Sequence, residues 1–74
     1  MLIVAAPGKE SDVLKILGEV KEVKETMILF GEYDLFALLE CDDFGALSEI
    51  IVNNIRNIPG VESTRTLTAA PIYE

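Results

Sequence analysis

The chain has 74 residues and a mass of 8.1 kDa, enough for one domain and too little for a second with its own core. Half of its residues are apolar and mean hydropathy is +0.35, which excludes a chain disordered by composition. Thirteen acidic against six basic side chains give a net charge of −7, which opposes contact with a phosphate backbone and argues against direct DNA or RNA binding.

In chain order, Leu2 to Ala6 is apolar at every position and is bounded by Pro7-Gly8, the pattern of a strand buried on both faces. Ser11 and Asp12 then offer an N-terminal cap for a short helix, with Val13, Ile16, Leu17 and Val20 at helical spacing and Gly18 near its end. From about Val20 to Phe30, β-branched residues alternate with charges and lead into Met27-Ile28-Leu29-Phe30, which Gly31-Glu32-Tyr33-Asp34 stops. Leu35 to Leu39 resumes at once as a wholly apolar run. So short a gap favours an antiparallel hairpin, because a parallel return needs a dozen residues or more.

Asp42 or Asp43 can cap a second helix. Its apolar stripe is Phe44, Leu47, Ile50, Ile51, Ile55 and Ile58, largely opposite Ser48, Glu49, Asn53, Asn54 and Arg56. Pro59-Gly60 ends the helix by plain backbone chemistry. Val61 to Ala70 then reads as a fourth strand, with Glu62, Thr64, Thr66 and Thr68 on one face and Val61, Ser63, Arg65 and Leu67 on the other.

The resulting order, β-α-β-β-α-β, predicts an α+β, ferredoxin-like fold: a four-stranded antiparallel sheet with two helices on one face. That plan puts strands one and three in the centre and strands two and four at the edges. The two-sided apolar runs are indeed strands one and three, and the charge-bearing strands are two and four. Two helices cover one face, yet Leu2, Ile3, Val4, Leu35, Phe36, Leu38 and Leu39 supply apolar groups to both. A domain this small is marginal alone, and one cysteine cannot form an internal disulfide, so the uncovered face is expected to pack against a second copy.

Two segments carry a more specific signal. Gly31-Glu32-Tyr33-Asp34 lies between strands two and three, and Ile58-Pro59-Gly60-Val61 is followed by Thr64-Arg65-Thr66. In this secondary-structure order they resemble the effector-binding domain of the Lrp/AsnC transcription regulators, termed RAM for regulation of amino acid metabolism. The resemblance covers the whole chain, residues 1–74, as a single domain. It departs from those regulators in having no N-terminal helix-turn-helix, and so implies a stand-alone RAM module.

The resemblance also implies a homodimer built by sheet packing, as in dimeric α/β barrels, and assembly into larger rings such as octamers. It implies an amino-acid effector held between dimers, a regulatory role without catalysis, and mixing with full-length Lrp/AsnC regulators. Carried over by position, the ligand-binding residues are Gly31, Tyr33 and Asp34, with Thr64 and Thr66 nearby. The chemistry of these types suits that role. Glycine lets backbone amides approach a carboxylate, an aspartate can receive an ammonium group, and tyrosine and threonine hydroxyls donate and accept. Each residue also has a plain structural use, Gly31 and Asp34 as turn formers and the threonines as edge-strand residues.

Other chemistries find little support. The chain has no His and no Trp, and its one cysteine, Cys41, has no CxxC partner, so no catalytic residue, metal or cofactor is expected. Cys41 stands between Glu40 and Asp42, where charge raises a thiol pKa and suits a small packing residue better than a nucleophile. Glu22, Glu25 and Glu32 read as solvated charges. A dimeric α/β-barrel enzyme would lack its usual His or Trp, and a phosphatase on this plan would need a phosphate loop where Arg56-Asn57 sits at a helix end. RNA binding on the sheet lacks an aromatic residue on strand one. An assembly-only interaction protein remains the alternative to a metabolite-binding regulatory module. Met1 to Ala6 is too short an apolar run for a membrane span or a signal-peptide core, so a cytoplasmic location and no membrane partner are expected.

Overall fold

The computed structural model describes residues 1–68. Its elements are β1 (Leu2–Ala5), α1 (Glu10–Glu19), β2 (Val23–Ile28), β3 (Leu35–Leu39), α2 (Phe44–Ile50) and β4 (Val61–Arg65), and a π-helical turn at Ile51–Ile55 prolongs α2. The strands lie in the order β2-β3-β1-β4, each neighbouring pair antiparallel. The two wholly apolar strands are therefore central, as the ferredoxin-like plan requires. No helix among the described residues is long and apolar enough to cross a membrane.

Alternation sorts the side chains of the sheet onto two faces. On one face Ile3, Ala5, Leu35 and Ala37 meet Val13 and Leu17 of α1 and Ile55 and Ile58 from the second helical segment, all buried. Ile3, Leu35, Val13, Leu17 and Ile55 are completely enclosed, and each such aliphatic side chain contributes about 1.5–3 kcal/mol relative to exposure. Among the described residues no helix covers the opposite face. Register places Met27, Phe36, Leu2 and Arg65 in one row across it, with Glu25 beside Leu38 in the next row and Val4 beside Ser63 on the other side. Met27 and Leu38 retain 49% and 41% of their surface, so this face is apolar and open.

Several boundaries differ from the sequence expectation for local reasons. Helix α1 begins one residue before Ser11, with Lys9 as its cap residue and no side-chain cap, so Ser11 and Asp12 are exposed in the first turn. Gly8, at φ +83°, turns the chain so that Lys9 N–H reaches Ala6 O at 2.9 Å, and Val13 N–H already closes on Lys9 O at 3.0 Å. Glu10 and Asp12 then complement the positive end of the helix dipole. Val20 falls outside the helix as its C-terminal cap, in extended conformation.

Strand β2 is shorter than Val20 to Phe30 because Leu29 N–H turns to Asp34 O at 2.8 Å and closes the hairpin loop. The second helix starts at the expected cap, where Ala46 N–H donates to Asp43 Oδ1 at 2.7 Å. It does not continue as one regular helix: from Ile51 the spacing widens, with Arg56 N–H bonded to Ile51 O at 2.9 Å. Phe44 leaves the expected apolar stripe and is 67% exposed, since it is the first helical residue and precedes the turns that lie on the sheet.

Strand β4 ends at Arg65 rather than continuing to Ala70, so Thr66, Leu67 and Thr68 lie beyond it, and Ala69 and Ala70 lie outside the described residues. A register shift opposite Val4 and Ala5 makes Glu62 an extra residue. Val61 and Thr64 therefore both face the helices, opposite Ala5 and Ile3, while Ser63 and Arg65 face the open side. Strict alternation had separated Val61 from Thr64 in the wrong way.

Candidate functional site

The loop from residue 29 to 34 is built around a glycine. Gly31 has φ +131°, where residues with a Cβ are strained, and a Cβ placed there would meet no atom within 4 Å. The loop thus projects into open space. Phe30 beside it is 100% exposed, and Glu32 is exposed as well, whereas Tyr33 and Asp34 are half-buried.

Asp34 is tied to the centre of the sheet. Its N–H donates to Ile3 O at 2.9 Å, its carbonyl accepts from Leu29, and its Oδ2 accepts the Ala5 N–H at 2.8 Å. The reason lies in β1: its ladder with β3 ends at the pair Ile3 and Leu35, so the next inward-facing amide, that of Ala5, has no strand partner. The Asp34 carboxylate supplies one. Oδ1 makes no hydrogen bond among the described residues.

Tyr33 reaches toward the opposite edge of the sheet. Its hydroxyl lies near Arg65 and raises the guanidinium pKa above its ordinary value. Arg65 was not among the residues singled out from the sequence; strand alternation alone offered no sign that the hairpin loop and the end of β4 meet. Phe30 was also missed, because its apolar character placed it in a strand.

Thr64 and Thr66 belong to a different part of the surface. They line an open depression of about 470 Å³ together with Ile51, Arg56, Val61 and Glu62, and Gly31, Tyr33 and Asp34 stand outside it. Within one chain the five predicted residues do not converge. A larger open cleft of about 950 Å³ adjoins this depression, sharing Ile51 and Thr66 with it, and lies between the segment from Glu40 to Phe44 and residues Thr66 to Thr68. Cys41 lines this cleft, its thiol pushed above the ordinary value by partial desolvation first and then by Glu22, Asp42 and Asp43, against Lys24. Among the described residues no group of three or more His, Cys, Asp or Glu is arranged to hold a metal ion.

Comparison with known proteins adds an independent line. The family model for the Lrp/AsnC ligand binding domain matches residues 2–70. The crystal structure of FFRP-DM1 superposes with a TM-score of 0.90 at 39% identity, over 93% of this chain and 92% of that one. The hypothetical protein PHS023 from Pyrococcus horikoshii gives 0.89 at 38% identity, over 97% of this chain and 87% of its own. E. coli AsnC gives 0.86 at 28% identity over 99% of this chain, which spans 51% of AsnC. No curated protein sequence matches the chain.

Proposed function

Because the chain belongs to the family of Lrp/AsnC ligand binding domains, we propose that it is a regulatory module that binds an amino acid or a similar small metabolite as a homo-oligomer. The match over residues 2–70 is the observation that carries this reading. In it the ligand is contacted by Gly31, Tyr33 and Asp34 from the hairpin loop and by Thr64 and Thr66 from the end of β4. The separation of these two groups on one chain supports a site completed by neighbouring subunits. The exposed Phe30 and the unfilled space around Gly31 support it too, since a subunit or ligand seated there would cover them. The open apolar sheet face supports a dimer, from which a higher assembly such as an octamer is built. Action on transcription then proceeds through association with full-length Lrp/AsnC regulators, without catalysis and without direct contact to nucleic acid.

The test is thermal unfolding in the presence of each of the twenty amino acids at about millimolar concentration, with light scattering on the same samples. A ligand at about 100 times its Kd stabilises the native state by roughly 2.7 kcal/mol, a shift of roughly 10 °C or more for a domain of this size. Selective hits that disappear in Tyr33→Phe or Thr66→Val support the reading. Asp34→Ala is a poorer probe, because it also strips the Ala5 N–H of its partner. A stable oligomer that no amino acid shifts favours assembly alone, for which the open sheet face is sufficient.

A further inference from the structure

Two irregularities of the backbone meet at one depression on the surface. The second helical segment widens at Ile51–Ile55, and Arg56 leaves the end of that wide turn with its N–H on Ile51 O at 2.9 Å. Further along the chain, the bulge in β4 inserts Glu62 between Val61 and Ser63 and takes it out of the pairing with β1. Departures of both kinds re-aim side chains and gather at functional sites. Here each presents one exposed charged residue, and both residues line the same depression of about 470 Å³.

The lining between the two charges is neutral. Thr64 and Thr66 offer hydroxyls, and Ile51 and Val61 offer methyl groups. That combination selects against singly charged ligands: an anion that meets Arg56 also meets the Glu62 carboxylate, and a cation meets the reverse. A small molecule that carries both charges satisfies both residues. The depression also falls in the size range of small-molecule sites, about 300–1,000 Å³.

We propose that Arg56 and Glu62 read the charges of the ligand, Arg56 taking the carboxylate and Glu62 the ammonium group of a small zwitterion such as a free α-amino acid. The inference rests on the reading above, in which Thr64 and Thr66 already contact the ligand, and deepens it by assigning the ligand's two charged groups. Guanidinium presents paired N–H donors that match a carboxylate, and a glutamate carboxylate accepts from an ammonium group. Asp34, the acid of the hairpin loop, is held to the sheet through the Ala5 N–H, whereas Glu62 stands outside the ladder. The aliphatic walls at Ile51 and Val61 then receive the apolar part of the ligand.

The experiment is calorimetric titration of the full chain with each of the twenty amino acids, and with acetate and methylammonium as probes of one charge each. At least one amino acid is expected to bind, and neither single-charge probe. Arg56→Gln and Glu62→Gln are each expected to weaken that binding about ten-fold or more, as the loss of one charge-assisted hydrogen bond implies. Acetate bound as tightly as the amino acid, or either variant binding like the wild type, overturns the assignment. Tyr33→Phe and Thr66→Val separate it from the underlying reading. Binding lost in these two but kept in the charge variants removes Arg56 and Glu62 from the site and leaves the reading standing, whereas a wild type that binds no amino acid overturns both. Circular dichroism and light scattering establish that the two charge variants, both at exposed positions, keep the fold and the assembly.

Discussion

The Asp34 carboxylate accepts the backbone N–H of Ala5 across a sequence separation of 29 residues, and this bond joins the β2–β3 hairpin to the end of β1. The aspartate of a loop that resembles a ligand-binding motif is thus also a structural strut. Its Oδ2 serves the sheet, where the β1 and β3 ladder has ended.

Asp34→Ala leaves the Ala5 amide without a partner in a part-buried setting, and is expected to cost about 1–3 kcal/mol. Asp34→Asn keeps an oxygen acceptor and should lose much less. Urea unfolding of the two variants checks this, and equal losses would show that the bond to Ala5 contributes little.

Gly60 and Gly31 both have positive φ, yet substitution should affect them unequally. A Cβ at Gly60 would lie 2.8 Å from Lys9 Cβ and 3.1 Å from Val13 Cγ2, whereas one at Gly31 meets nothing. Gly60→Ala adds a clash to backbone strain and is expected to destabilise by about 3 kcal/mol or more, against about 1 kcal/mol for Gly31→Ala, whose loop is free to relax. Thermal denaturation of the pair gives the comparison directly.

Asp43 caps α2 through Ala46 at 2.7 Å, and Asp43→Ala should cost about 1 kcal/mol while Asp42→Ala, which leaves this cap intact, should cost little. Chemical denaturation of both variants distinguishes the two residues, which the sequence left as equal choices.

Cys41 is expected to react slowly with alkylating reagents. Its thiol is held above the ordinary value of 9.0, so the thiolate is scarce at neutral pH. The rate of iodoacetamide modification should rise with pH to a midpoint above that of a free thiol. Replacing Glu22 or Asp42 by a neutral residue should move the midpoint down, because each carboxylate disfavours the thiolate.

The sequence by itself determined the element order, the central position of β1 and β3, the Asp43 cap as one of two choices, and the family. These follow from local rules: apolar character on both faces marks a central strand, and glycine, proline and aspartate punctuate the chain through their own backbone preferences. Tertiary structure decided which face β4 presents. The extra residue Glu62 opposite β1 put Thr64 with Val61, a shift that arises only when two strands pair and that no alternation within one of them encodes. It also decided that Asp34 serves Ala5, because the need for an acceptor arises where the β1 and β3 ladder runs out. The meeting of Tyr33 with Arg65 is of the same kind, since it depends on β1 lying between β3 and β4 and on the reach of two long side chains across it.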